Sequence, residues 1–167
     1  MKIVPIPAFN DNYIWLIHDD ESAVCVDPGD AAPVLAYLEQ KQLDLDAIIL
    51  THHHNDHIGG VADLQAAYPD VAVYGPEDIA CVNQALKEGQ ELNLLGQVWR
   101  VWFVPGHTHN HLAYILRIEG KNRLHVFCGD TLFSAGCGRV FTGTIEQLEQ
   151  SLQRFAGLPK DTLFYPT

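Results

Sequence analysis

Ala47-Ile48-Ile49-Leu50 runs directly into Thr51-His52-His53-His54-Asn55-Asp56-His57. Four histidines and one carboxylate stand within six positions, His52 to His57. The apolar run reads as a buried strand. A strand end hands its side chains to the sheet rim, where α/β folds keep their ligand sites. Imidazole and carboxylate suit zinc and its neighbours, whereas a set of cysteines alone would suggest a closed structural site. In an irregular loop leaving a strand, His52, His54, Asp56 and His57 can reach two adjacent metals. The plainer reading is a solvated polar loop or an affinity tag. The internal position, Asp56, the strand before it and Gly59-Gly60 after it argue against that.

Two later segments repeat the pattern. Val104-Pro105-Gly106 leads into His107-Thr108, and Val126-Phe127-Cys128-Gly129 leads into Asp130-Thr131. In each, glycine lets the backbone turn sharply at a strand edge. Alone, each is no more than a turn. Together with the 52–57 loop, they bring hard or borderline ligands to three strand ends, as a catalytic metal site requires.

The bulk composition bounds the function. The chain has 167 residues, enough for one domain with a substantial core. Twenty-one acids against 10 bases give a net charge of −11, which argues against nucleic acid and anionic membrane surfaces as partners. Pro5, Pro7, Asn10 and Asp11 interrupt any signal-peptide core. Cys25, Cys81, Cys128 and Cys137 form no CxxC pair. Cys25 and Cys128 sit in apolar, strand-like runs and read as buried thiols, so a reducing cytoplasm is expected; the chain is expected to be a monomer.

The pattern of elements selects a fold class. Tyr13–Ile17 and Ala23–Val26 read as a hairpin, followed by a helix from Asp30 to about Gln40. After the 47–50 strand, a helix over 60–68 ends at Pro69, and Val71–Tyr74 is the next strand. Val98–Val104, Leu112–Ile118 and Leu124–Cys128 then follow one another as strands. A last helix is capped by Thr144 with Gln147, carries a stripe of Ile145, Leu148, Leu152 and Phe155, and closes at Gly157. Thr162–Tyr165 is a final strand. This order predicts an α/β chain with two stacked sheets and helices outside.

The motifs also carry a resemblance. His-x-His-x-Asp-His at 52–57, Gly-His-Thr at 106–108 and Gly-Asp-Thr at 129–131 resemble, in order, the signature of the metallo-β-lactamase fold superfamily. Ile6-Pro7-Ala8-Phe9, Asp11-Asn12-Tyr13, Val26-Asp27-Pro28-Gly29 and the 129–139 segment are similar to the glyoxalase II (hydroxyacylglutathione hydrolase) family within it. The resemblance implies a four-layer αβ/βα sandwich. It implies His52, His54 and His107 on one metal, Asp56 and His57 on a second, and Asp130 bridging ions roughly 3.5–4 Å apart. Two divalent ions are implied, with zinc expected and iron or manganese as alternatives. The implied reaction is hydrolysis of a small-molecule glutathione thioester, S-lactoylglutathione, to glutathione and lactate by metal-activated hydroxide. Asp56 is assigned a double role, ligand and orienter of the nucleophile.

Arg139 matches a position where the family often has a lysine that meets glutathione, and Phe141 one where relatives place a tyrosine. A solvated arginine and a packing phenylalanine are the plainer readings. Asp27 either orients a ligand histidine or is a turn carboxylate. His111 is expected beside the ligands, not among them, and His53 points away. The family adds a histidine just after the last strand and a C-terminal helical domain, so residues 1–167 are expected to be a catalytic domain shortened at its C terminus. Other readings stay open: a lactonase or β-lactamase, a one-iron persulfide dioxygenase, a phosphodiesterase, or a metal-binding scaffold without turnover.

Overall fold

Strand parity sorts the hydrophobic side chains into three separate cores. The computed structural model describes residues 1–167. Strands β1 (Lys2–Ala8), β2 (Asn12–His18), β3 (Ser22–Val26), β4 (Asp44–Ile49), β5 (Ala72–Gly75) and β6 (Gln84–Ala85) form one sheet in that order. Strands β7 (Glu91–Leu94), β8 (Gln97–Phe103), β9 (Leu112–Arg117), β10 (Leu124–Gly129) and β13 (Leu163–Pro166) form a second, ordered β13-β10-β9-β8-β7. A short hairpin, β11 (Leu132–Phe133) and β12 (Gly136–Cys137), stands apart. The helices are α1 (Ala31–Lys41), α2 (Asn55–Ile58), α3 (Val61–Ala67) and α4 (Ile145–Ala156).

In β3, Ala23 and Cys25 face outward and pack with Val34 and Leu38 of α1 and Leu64 of α3. Val24 and Val26 face the other way, onto Trp99, Val101, Tyr114 and Phe127 of the second sheet. That sheet turns Ala113, Val126 and Cys128 outward to Phe155 of α4. Helix, sheet, sheet, helix is thus the layer order, the αβ/βα sandwich of the sequence reading. Burying each large side chain between layers contributes about 1.5–3 kcal/mol.

The structure corrects several sequence readings. Strand β1 was unread because Pro5 and Pro7 look like breakers; β1 pairs only with β2, and proline is tolerated on such an edge strand. The α4 capping box forms as expected, but Ile145 is 72% exposed and leaves the apolar stripe to Leu148 and Phe155. Gly157 caps α4 in a right-handed conformation (φ −76°), so glycine's left-handed freedom is not used there. Trp99 and Trp102 lie on opposite faces of β8; Trp102 stacks on Phe155 at 6.3 Å with the Arg154 guanidinium 4.0 Å over its ring.

Two ties lock the sheets together at one rim. The Tyr114 hydroxyl donates to the Leu50 carbonyl at 2.5 Å, and the Leu112 N–H donates to the Thr51 carbonyl at 2.9 Å. The pairing directions bring the carboxyl ends of β3, β4, β8, β10 and β13 to this rim.

Candidate metal centre

Each strand end at the rim delivers one part of a cluster. The loop after β4 supplies His52 and His54, and α2 supplies Asp56 and His57. Gly59-Gly60 lets α2 and the start of α3 press against the segment after β3. A Cβ at Gly59 would meet the Gly29 carbonyl at 2.7 Å, and one at Gly60 the Ala31 nitrogen at 2.5 Å. His107 follows β8 through Gly106, whose φ is +141° and whose Cβ would strike the Leu148 backbone at 2.4 Å. Asp130 follows β10 through Gly129 at φ +48°, with Thr51 and the His111 ring too close for any side chain.

The nitrogens of His52, His54 and His107 and an oxygen of Asp130 all lie within 4.8 Å of one another. His54 Nδ1 is 3.0 Å from His52 Nε2 and 3.2 Å from His107 Nε2. His57 Nε2 stands 3.3 Å from Asp130 Oδ1 and 3.6 Å from Asp56 Oδ2. The cluster opens into a cleft of about 440 Å³ lined by Asn12, Tyr13, Asp56, Asp130, Phe133 and Thr167.

The outward-facing nitrogens fix the tautomers. His107 Nδ1 donates to the Arg139 carbonyl at 2.7 Å, so its Nε2 lone pair faces the cluster. Thr51 Oγ1 gives its proton to Asp27 Oδ2 at 2.6 Å, so it accepts from His52 Nδ1 at 3.0 Å. His57 Nδ1 bonds Asp27 Oδ2 at 3.0 Å, which aims Nε2 inward. That buried Nε2 has no hydrogen-bond partner. Converging lone pairs and an orphaned buried nitrogen fit a cation, and the nitrogen-and-oxygen donor set fits a divalent metal.

The electrostatics separate the His52, His54 and His107 imidazoles from His57. Burial holds His52 well below the usual imidazole range, with His57, His111 and His107 adding to the effect. Burial likewise lowers His54, His107 and His111. Neutral imidazole is the form that ligates. His57 goes the other way: burial opposes its charge, but Asp27 and Asp130 outweigh burial and raise it to about 10. For Asp56, burial raises the carboxyl, while the Asn12 amide and His57 bring the net shift downward.

The other residues singled out in the sequence lie around this cluster. The Arg139 side chain is exposed and only its carbonyl reaches the cluster. Phe141 is 60% exposed and stands edge-on to His54 at 4.9 Å and His107 at 5.2 Å. His53 sits 3.9 Å from Asp78, away from the cluster. His111 is fully buried, stacks on His52 at 4.7 Å and accepts from the Asp130 N–H at 3.3 Å. Asp27 takes the orienting reading: it accepts from Thr51 N at 2.7 Å and from Thr167 Oγ1 at 3.2 Å besides holding His57. Asn12, which donates to Asp56 Oδ2 at 3.0 Å, had no role in the sequence reading. Its signal there was its place in the family-like Asp11-Asn12-Tyr13 stretch, with no role attached to it.

Over residues 8–167 the sequence matches the metallo-beta-lactamase superfamily, and the chain belongs to that superfamily. It binds divalent metal through a cluster of histidine and aspartate. It is 53% identical over 165 residues to the hydroxyacylglutathione hydrolase of Vibrio campbellii, covering 97% of this chain and 63% of the relative. The chain thus spans just under two thirds of that relative's length. Two crystal structures share the fold at higher than random identity. ETHE1 from Myxococcus xanthus is 31% identical with a TM-score of 0.84, covering 99% of this chain and 75% of that one. TTHA1623 in a di-iron-bound form is 28% identical with a TM-score of 0.77, covering 98% and 90%.

Proposed function

We propose that this chain is the catalytic domain of a thioester hydrolase acting on S-(2-hydroxyacyl)glutathiones, S-lactoylglutathione among them. The products are glutathione and a 2-hydroxy acid. The observation that carries the reading is the His/Asp cluster at the rim of a chain 53% identical to a hydroxyacylglutathione hydrolase. His52, His54, His107 and Asp130 would hold one ion, and Asp56, His57 and Asp130 a second. The di-iron form of TTHA1623 supports a pair, and imidazole with carboxylate suits zinc, iron or manganese. When bound, such ions supply Lewis acidity, which polarises a carbonyl and makes water acidic.

The chain's own groups do the rest. Asp56 faces the cleft with its side chain 48% exposed, so its carboxylate can accept a hydrogen bond from attacking water and orient it. Asp27 keeps His57 Nε2 turned inward, and the Arg139 carbonyl does the same for His107. Phe141 stands edge-on to the His54 and His107 rings and covers part of them from water. Arg139 supplies an exposed cation for a glutathione carboxylate. A thiolate is a good leaving group and needs little acid assistance. All four cysteines are free thiols. The test is hydrolysis of S-lactoylglutathione by the metal-loaded chain. Activity that disappears in H54A and D130N is expected; a fully loaded chain inert toward every acylglutathione would overturn the reading.

A further inference from the structure

The β1–β2 turn carries features that the proposed chemistry leaves unused. Phe9 lies in the left-handed region at φ +53°, which is costly for a bulky side chain, and is 60% exposed. Such strain persists only where the surroundings over-determine it. Here the turn is clamped from both sides. The β1–β2 ladder pairs Ala8 with Asn12 across it. Beneath it, a Cβ at Gly29 would meet the Asp56 carbonyl at 1.9 Å and the Phe9 ring at 2.8 Å. Turn, Gly29 and the Asp56 backbone therefore pack without slack. From this fixed hairpin, Asn12 Nδ2 donates to Asp56 Oδ2 at 3.0 Å.

Asp56 needs that bond more than its neighbours need theirs. His52, His57 and His107 are each buried and held by Thr51, Asp27 and the Arg139 carbonyl. The Asp56 side chain is 48% exposed, and Asn12 is the one side chain that donates it a hydrogen bond. A half-exposed carboxylate without such a partner samples several χ1 rotamers.

We infer that Asn12 is a positioning residue. Its amide, delivered by the strained Phe9 turn, holds the Asp56 carboxylate in one rotamer and so presets the Asp56–His57 half of the metal centre. The metal part of this inference rests on the proposed two-ion reading; the rotamer part does not.

Two variants of the full 167-residue chain test it. N12A removes donor and bulk, whereas N12L removes the donor and keeps the volume. In the metal-free proteins, side-chain couplings of Asp56 measured by NMR are expected to report one χ1 rotamer in the parent and averaging in both variants, with unchanged thermal unfolding. Zinc competition against a chromogenic chelator is expected to show the second equivalent weakened about 10–100-fold in both, with the first unchanged. A single parent-like rotamer in N12L overturns the inference, as does parent-like affinity for the second zinc. A parent that takes up only one zinc would sink the two-ion reading instead, and the rotamer comparison would still decide Asn12.

Discussion

Replacing Asp27 with asparagine should loosen His57 while leaving the backbone in place. Asp27 sits at φ +51°, a conformation asparagine adopts as readily as aspartate, and the two side chains are nearly the same size. The amide oxygen can keep the 2.7 Å bond from Thr51 N. The amide nitrogen then replaces Oδ2, which accepts from Thr51 Oγ1 at 2.6 Å, His57 Nδ1 at 3.0 Å and Thr167 Oγ1 at 3.2 Å. The two hydroxyls can rotate and become acceptors. His57, charged in the metal-free chain, becomes an acceptor at Nδ1 only by losing that proton, which leaves its one remaining proton on Nε2, the atom aimed at Asp130 and Asp56. Breaking a buried charged pair costs about 3–5 kcal/mol; the retained bond and rotating hydroxyls bring the expected loss to about 3 kcal/mol. A domain with ordinary stability of about 5–15 kcal/mol stays folded after that loss. Urea unfolding should show the drop in the metal-free chain, and zinc affinity should fall about 10–100-fold through the wrong tautomer. Parent-like zinc affinity with a parent-like urea midpoint would refute the orienting role of Asp27.

Phe127 is fully buried between Trp99 at 5.4 Å and Tyr165 at 4.9 Å, so F127A should cost about 3–5 kcal/mol by urea unfolding. Burial raises the Glu88 carboxyl, but Arg154 and the Phe103 N–H more than offset this and lower it below 4.5. A lowered folded value means stability that is present above the unfolded value and lost as pH falls through the folded one. E88Q should therefore flatten the acid limb of a thermal-melt series below about pH 4.5, and an unchanged limb would discount the Arg154 pair. R139A should raise KM for a glutathione thioester more than it lowers kcat; an unchanged KM would remove Arg139 from the substrate site.

The sequence disclosed what local pattern can encode. The 52–57 loop was legible because ligand types crowd one short segment beside an apolar strand, and the α4 cap because Thr144 and Gln147 stand three apart. The two-sheet order followed from helices alternating with strands early and strands clustering late. What stayed hidden depends on contacts between distant residues. Asn12 reaches Asp56 across 44 positions, and Asp27 reaches His57 across 30. Asn12 was legible only as part of a family-like stretch, and Asp27 as an orienting group or a turn carboxylate with nothing local to choose between them. Strand β1 escaped because proline reads as a breaker until the edge position is known. Ile145 shared the helical period of Leu148 yet faces solvent at the first position of α4.

The most direct test of the account is the rate of S-lactoylglutathione hydrolysis by this chain, followed as zinc is added to the metal-free protein and bound zinc is counted by mass spectrometry. The rate should rise with bound zinc and level off when the cluster of His52, His54, His107 and Asp130, with Asp56 and His57 beside it, is filled. Two bound equivalents with no hydrolysis would contradict the proposal.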